Sequence, residues 1–221
     1  MRNTWLSRAG VGCALLAAVL TVLVVAHWPP LISYDDRLAR DLHAYAVTHR
    51  GVTHLVRVLA DWVWDPWTMR AVAAVACLWL WSRGDRSRAV RVGAAVLAAA
   101  AVQQGLKALI GRARPQWPDP VATAHFAAYP SGHAMTATVV CGLLLWLLPA
   151  KAPRGAVAAA RTVAAVSVLG VGFTRIYLGV HWFSDVLAGW LLGVAVVSLA
   201  AFRHACPGRS PASPRAEGPA R

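Results

Sequence analysis

Residues 174–202 read TRIYLGVHWFSDVLAGWLLGVAVVSLAAF, and the second part of this stretch is predominantly apolar. The apolar run from residue 183 has about 20 residues, the length that an α-helix needs to cross the roughly 30 Å hydrocarbon core of a bilayer. Three ionisable residues, Arg175, His181 and Asp185, stand just before the run or in its first turn. The stretch therefore predicts a membrane helix that begins at a polar boundary.

Five further apolar runs precede this one. They cover about residues 9–27, 66–82, 92–110, 131–148 and 161–178. Charged residues make up only 14% of the 221-residue chain, whereas a soluble domain carries about 25%. The sequence therefore predicts an all-α fold: a multi-pass membrane helical bundle with about six transmembrane helices.

The first two runs each leave an alternative open. Arg2 and Arg8 precede the first apolar run, as in a signal peptide, but the run is long and VVAHWPP offers no small-residue cleavage site, which favours a retained helix. The second run follows HLVRV and two aspartates, so it could start as an interfacial helix. Residues 34–60 also have helical spacing of apolar side chains and predict an amphipathic helix on the outer surface.

The distribution of positive charge decides the orientation. A net charge of +13 suggests nucleic acid as a partner of a soluble protein, but here the basic residues lie at the two ends and in alternate loops. By the positive-inside rule both termini are cytoplasmic, and residues 28–65, 111–130 and 179–182 face the outside. We therefore expect a cell-membrane protein that contacts the lipid bilayer and no nucleic acid.

The chain ends in CPGRSPASPRAEGPAR, which is rich in proline, glycine, alanine and arginine and has no large apolar residue to pack. This composition predicts a disordered cytoplasmic tail over residues 204–221, after one membrane-embedded domain over residues 1–203. Tryptophans near the ends of the predicted spans, including Trp117 and Trp182, are typical of an interfacial aromatic belt.

Polar residues that a membrane helix does not require occur in three outer segments. In KALIGRARP, Lys107 stands near the outer end of the third span, and Pro115 disfavours helix at Arg114, which predicts that Arg114 lies on the emerging loop. Two cations on one rim favour contact with an anion. The alternative is that the two long basic side chains only extend their charged groups to the membrane–water interface.

The second segment, YPSGHA, has the residues of a helix start. Ser131 supplies a capping hydroxyl and Gly132 a permissive backbone, at the end of a helix whose free N–H groups bind phosphate readily. His133 follows in the same turn. By itself the segment could also be an ordinary helix cap followed by a histidine exposed to water.

The third segment contains His181 and Asp185 at a spacing of four, which places them on one face of a helix. Asp185 could accept a hydrogen bond from one ring nitrogen and leave the other free to attack an electrophile. Gly179 interrupts the chain between the last two spans and lets Arg175 approach His181. The alternative is a buried ion pair that joins two helices.

Together the three segments supply three cations, a helix N-terminus, two histidines and one carboxylate on the same predicted membrane face. Phosphoryl transfer requires this combination, because its transition state spreads negative charge over oxygens that fixed positive groups stabilise.

At these residues the chain resembles the type 2 phosphatidic-acid phosphatase superfamily, whose signature is KxxxxxxRP, PSGH and SRxxxxxHxxxD. The three parts match Lys107 to Pro115, Pro130 to His133, and Arg175 to Asp185, with Thr174 where the family usually has serine. The resemblance implies an integral membrane phosphatase that needs no metal and no other cofactor. It also implies a lipid phosphate or diphosphate as substrate, hydrolysed on the extracellular or periplasmic side.

The resemblance also implies the role of each site residue. His181 would attack phosphorus and form a phosphohistidine, Asp185 would orient it, and His133 would protonate the leaving oxygen and later activate water. The phosphate would be bound by the remaining motif residues, Lys107, Arg114, Ser131, Gly132 and Arg175. Undecaprenyl pyrophosphate is the first expected substrate, with phosphatidic acid and phosphatidylglycerol phosphate as alternatives.

Two other functions are compatible with the residues. His133, His181 and Asp185 could form a two-histidine, one-carboxylate metal site, although the nearby cations would repel a divalent ion. The chain could also be a small membrane transporter, but transporter sites lie near the membrane midplane, whereas these groups cluster at helix ends.

Overall fold

A computed structural model describes residues 2–202, and side chains from residue 8 onward. The predicted tail over residues 204–221 lies outside the described residues. Within them the chain forms eight α-helices and no strand. The helices are α1 Arg2–Val25, α2 Pro29–Thr48, α3 Arg50–Val58, α4 Pro66–Ser82, α5 Arg86–Ile110, α6 Gly132–Leu147, α7 Arg154–Tyr177 and α8 Phe183–Ala201, with a π-helical turn at Leu59–Val63.

The six helices predicted from the apolar runs are all present, but they differ in length. Four of them are long and apolar enough to cross a membrane: Arg8–Val25 within α1, then α5, α7 and α8. They expose many large apolar side chains, among them Leu15, Leu97 and Leu199. Such a surface is unfavourable in water and favourable in lipid. The helical fold class is confirmed, whereas the count of six spans and the cytoplasmic termini stay predictions.

The short helix α6 is the centre of the bundle. Its 16 residues extend over about 24 Å, and α4, α5, α7 and α8 all pack against it. Ten of its residues are buried, and Met135, Val139 and Leu143 form the main core with Val92 of α5 and Leu80 of α4. A helix enclosed by protein on most sides has little contact with lipid and need not match the full bilayer thickness.

A close crossing of α6 and α8 brings their N-terminal ends together. A Cβ atom on Gly189 would lie 2.7 Å from the carbonyl oxygen of Ser131, so only glycine allows this approach. The backbone N–H of Ser131 donates to the carbonyl of Asp185 at 2.9 Å. The crossing therefore joins the second and third polar segments directly.

The predicted amphipathic region is confirmed as helix, divided into α2 and α3. Leu38 and Leu42 of α2 pack on the bundle, whereas Tyr45 and His49 are exposed. A separate helix, α4, begins at Pro66, where Asp65 caps it by accepting from the N–H of Trp67 at 2.8 Å. Helices α2 and α3 and the connection 111–131 cover the end of the bundle that carries the polar segments.

Candidate active site

The three polar segments meet in one site. His133, at the start of α6, lies within electrostatic range of Lys107, Arg114, Arg175 and His181. Lys107 comes from the end of α5, Arg175 from the last turn of α7, and Arg114 and His181 from the connections that follow those helices. The bundle thus brings together residues that are separated in the chain by as many as two helices, α6 and α7. The three motifs predict that these residues lie on the same face.

His181 and Asp185 are in contact, but not as two residues on one helical face. His181 lies before α8, and Asp185 is the third residue of that helix. The Asp185 carboxylate reaches back: Oδ2 accepts from the N–H of Trp182 at 2.9 Å and lies 3.3 Å from Nδ1 of His181. The predicted pairing is therefore present, while the predicted helical geometry is wrong, because α8 starts two residues after the histidine.

The second ring nitrogen of His181 shows which tautomer is present. Nη1 of Arg114 donates to Nε2 of His181 at 3.1 Å. A guanidinium can only donate, so Nε2 is the acceptor and Nδ1 carries the proton that faces Asp185. Burial and the nearby Arg114 and Arg175 lower the pKa of His181 well below its ordinary value of 6.5. The neutral imidazole thus has one lone pair, and that lone pair faces the cations.

Lys107 and Arg114 hold the loop that precedes α6. Lys107 donates to the carbonyl of Ala127. Arg114 lies on the connection, as Pro115 predicts, and its Nε donates to the carbonyl of Phe126 at 2.9 Å. The guanidinium also donates to the carbonyls of His125 and Val180. In this way backbone carbonyl oxygens accept hydrogen bonds from donors of Lys107 and Arg114 that could otherwise bind an anion.

Two buried polar atoms in the cluster have no hydrogen-bond partner among the described residues: Oγ of Ser131 and Nε of Arg175. Ser131 is the N-cap residue of α6, but its hydroxyl makes no cap hydrogen bond, so the predicted capping role is wrong. Among the described residues Arg175 forms one ion pair, with Oδ1 of Asp61 at 3.8 Å. Unpaired buried donors are costly, and both atoms belong to residues predicted to bind phosphate.

Gly132 and Thr174 contribute backbone and packing. A Cβ atom on Gly132 would lie 2.6 Å from Nε2 of Gln103, so a side chain there would require the Gln103 amide to move. The hydroxyl of Thr174 donates to the carbonyl of Val171 in its own helix at 2.8 Å. Thr174 thus replaces the usual serine without directing its hydroxyl into the cluster.

Arg112 is a site residue that the sequence analysis missed. Its Nη1 donates to Oδ1 of Asp185 and to Oγ of Ser184, both at 2.7 Å. Its Nη2 donates to Oδ2 of Asp35 at 2.8 Å. The segment GRARP contains two arginines, but the motif includes only Arg114. The presence of Arg112 in the same segment is the sequence signal that could have identified it.

Asp35, on helix α2, belongs to the same hydrogen-bond network as Arg112, Ser184 and Asp185. It is 1% exposed and accepts from both the N–H and the hydroxyl of Ser184, the N–H at 2.9 Å. Asp185 is therefore held by Trp182 through one oxygen and by Arg112 through the other. No local sequence signal identifies Asp35, because its partners Ser184 and Arg112 are 149 and 77 residues away.

Two of the tryptophans that predict an interfacial belt also support the site. Nε1 of Trp117 donates to the carbonyl of Gly179 at 2.9 Å, and its ring stacks on His43 with centroids 4.1 Å apart. Nε1 of Trp182 donates to the carbonyl of Ala113, also at 2.9 Å. Both fix the connections that carry His181 and Arg114.

The geometry is unfavourable for the alternative metal site. Both ring nitrogens of His181 and both oxygens of Asp185 already have partners. Among the described residues no group of three His, Cys, Asp or Glu side chains is arranged to hold a metal ion. The arrangement instead presents one nucleophilic nitrogen to a cluster of cations, which suits attack on an anionic electrophile.

Comparison with solved structures shows the same fold in a crystal structure from Bacillus subtilis described as the first transmembrane PAP2 type phosphatidylglycerolphosphate phosphatase. The TM-score is 0.69 at 22% sequence identity, over 86% of this chain and 93% of that one. A shared transmembrane fold and four membrane-length helices identify this chain as a membrane protein.

Curated relatives match shorter regions. Phosphatidylglycerophosphatase B of Bacillus subtilis is 35% identical over 96 residues, which is 42% of this chain and 47% of the relative. Undecaprenyl-diphosphatase of Sulfolobus acidocaldarius is 36% identical over 66 residues, which is 30% of this chain and 28% of the relative. The chain thus spans less than half the length of each of these relatives.

The model of the PAP2 superfamily matches residues 88–204, more than half of the chain. The match includes all three polar segments, from Lys107 to Asp185, and the resemblance inferred from those motifs is confirmed. The chain belongs to the PAP2 superfamily.

Proposed function

We propose that this chain is an integral membrane phosphatase that hydrolyses a lipid phosphate or diphosphate through a phosphohistidine on His181. The observation that carries the proposal is the position of His181 between Asp185 and Arg114: Nδ1–H faces the carboxylate at 3.3 Å, and the lone pair of Nε2 faces the guanidinium at 3.1 Å. A phosphate that displaces the guanidinium from Nε2 would meet an oriented nucleophile.

The first step would form the bond between Nε2 and phosphorus while the bond from phosphorus to the leaving oxygen breaks. The leaving oxygen is the lipid oxygen of a monophosphate or the bridging oxygen of a diphosphate. His133 would give its proton to the leaving oxygen. In the second step water attacks phosphorus, His133 takes the water proton, and the P–N bond breaks to release inorganic phosphate and neutral His181. Both steps balance with water as the only co-reactant.

The cations would stabilise the phosphoryl oxygens as charge develops on them. Lys107, Arg114 and Arg175 supply the positive charge. The unpartnered Oγ of Ser131 and Nε of Arg175 supply free donors, and the backbone N–H at Gly132 lies at the positive end of α6. Arg112 would act through Asp185, because it holds that carboxylate and would not touch the substrate.

The proposal also names two candidate lipid substrates. Undecaprenyl pyrophosphate is the first candidate from the sequence, and the match to an undecaprenyl-diphosphatase supports it. Phosphatidylglycerol phosphate is the second candidate, supported by the longer match to a phosphatidylglycerophosphatase. We place the opening of the proposed site on the extracellular or periplasmic face, because the positive-inside rule puts the basic turn before α5 in the cytoplasm and the site lies at the other end of α5.

The experiment is a phosphate-release assay on purified full-length protein in detergent, with undecaprenyl pyrophosphate, phosphatidylglycerol phosphate and phosphatidic acid compared at equal concentration. We expect release that persists in excess EDTA and disappears in His181→Ala. His49→Ala is the control, because His49 is exposed and makes no contact with the site. Full activity of His181→Ala would overturn the assignment of His181 as the nucleophile. If no lipid released phosphate, the proposed phosphatase activity would be wrong.

A further inference from the structure

A second cleft lies beside the candidate active site and shares no residue with it. Its volume is about 550 Å³, and it is bounded by the end of α2, by α3 and by the segment Pro118–Val121. Its polar lining comes mainly from Arg50, Thr53, His54, Arg57 and Asp119. Small-molecule sites in proteins have volumes of about 300–1,000 Å³, so the cleft is large enough for a phospholipid headgroup.

The charge in this cleft is unbalanced. Arg50, His54 and Arg57 follow one another at spacings of four and three, so they share one face of α3. Neither arginine forms an ion pair within the part of the chain that the structure describes. Asp119 is the one carboxylate in the lining. Two unpaired guanidinium groups facing a cleft favour an anionic ligand, since each can bind a phosphate through two hydrogen bonds.

The walls of the cleft are fixed by packing. The hydroxyl of Thr53 donates to the carbonyl of Ala46 at 2.7 Å and lies 3.1 Å from the hydroxyl of Tyr177. On the other side, Trp117 precedes the wall segment and is held by His43 and by the carbonyl of Gly179. The cleft is therefore formed before a ligand arrives, and it lies at the same end of the bundle as His181.

We propose that this cleft is a second anion site, which binds a phosphate-bearing group through Arg50 and Arg57. The group is either the headgroup of an anionic phospholipid or free inorganic phosphate, since both present the same oxygens to the arginines. Binding here requires no turnover, so the site exists independently of the proposed phosphatase activity.

The test is native mass spectrometry of the full-length protein in detergent with added phosphatidylglycerol or, as a zwitterionic comparison, phosphatidylcholine. The cleft variant is Arg50→Gln with Arg57→Gln. The matched control is Arg37→Gln with Arg40→Gln, which removes the same charge from exposed positions of α2 outside the cleft. Charge-assisted hydrogen bonds to one arginine correspond to about a tenfold change in affinity. We expect phosphatidylglycerol to bind at least tenfold more weakly to the cleft variant than to the control.

An inorganic phosphate arm identifies the source of the group. If excess phosphate displaces phosphatidylglycerol from the unchanged protein, the site recognises the phosphate alone; if it does not, the site recognises the lipid headgroup. Equal thermal melting of the two double variants excludes misfolding as the cause. Equal retention of phosphatidylglycerol by the cleft variant and the control would overturn the proposal, whether or not the protein releases phosphate from any lipid.

Discussion

Arg112 connects two buried carboxylates that come from distant parts of the chain. Its side chain is 12% exposed, while Asp35 and Asp185 are 1% and 0% exposed. Removing one member of a buried ion pair leaves an uncompensated charge and costs about 3–5 kcal/mol. Arg112 therefore contributes both to the stability of the fold and to the orientation of the Asp185 carboxylate.

We expect Arg112→Gln to lower kcat for phosphate release by up to about 100-fold, because small displacements of a catalytic group have effects of that size. KM should change much less, since Arg112 does not face the phosphate. Arg112→Lys should recover part of the loss by restoring one charge. Steady-state kinetics and thermal melting are the measurements. Arg88→Gln is the control, because Arg88 pairs with Asp85 on the surface, and equal kinetics in both variants would contradict the role.

His181 should remain neutral in the folded protein at pH values where an ordinary histidine gains a proton. Burial and neighbouring cations lower the pKa of His181, so the unfolded chain binds a proton below pH 6.5 that the folded chain does not. The free energy of unfolding therefore falls as pH drops below 6.5. We expect the ¹⁵N signals absent from His181→Ala to report the Nδ1–H tautomer at pH 6.5 and below. An imidazolium signal there would contradict the prediction.

At the scale of elements, the turn between α7 and α8 positions the proposed nucleophile. Gly179 has φ +66°, and a Cβ atom there would lie 2.4 Å from Nε1 of Trp117. Only glycine adopts this conformation readily while also allowing the indole to approach. The hydrogen bond from Trp117 to the Gly179 carbonyl holds the turn two residues before His181.

Gly179→Ala should destabilise the protein by about 2 kcal/mol or more, from the backbone strain and the displaced indole, and should lower phosphate release. Gly93→Ala is the matched control. Gly93 lies within α5, a Cβ atom there meets nothing within 4 Å, and alanine favours a helix by about 0.5–1 kcal/mol. Thermal melting should therefore shift in opposite directions for the two variants; a similar shift in both would contradict the account.

At the scale of the whole molecule, the orientation in the membrane decides which lipid leaflet supplies the substrate. The connection 111–131 carries Arg114 and the exposed Thr123, and the turn after α4 carries Arg83, which is also exposed. The turn after α4 precedes α5, and the connection 111–131 follows it. If α5 spans the membrane, the two connections lie on opposite sides.

A membrane-impermeant maleimide should label Thr123→Cys in intact cells, and Arg83→Cys only after the membrane is permeabilised. The reason is that Arg83 lies in a positively charged connection, which the positive-inside rule places in the cytoplasm. The protein without added cysteine gives the background from the natural thiols. The opposite labelling pattern would reverse the proposed orientation and place the site on the cytoplasmic side.

The sequence by itself determined the features that depend on neighbouring residues. Apolar runs predicted the six helices, because the hydrophobic character of a span is local. Proline after Arg114 predicted a loop position, and the spacing in three motifs identified eight residues that the structure brings to one site. Where local reasoning failed, the errors were also local: His181 lies before α8 and so does not share a helical face with Asp185, and the hydroxyl of Ser131 makes no cap hydrogen bond.

Only the tertiary structure decided what surrounds those residues. The pairing of Asp35 with Ser184 joins positions 149 residues apart, and the role of Arg112 follows from that pairing. Trp117 and Trp182 donate hydrogen bonds to backbone carbonyls beside the site, and α6 packs against four other helices. These features depend on which side chains meet when separate helices pack, and a single sequence contains residue types and spacings but not the contacts between distant elements.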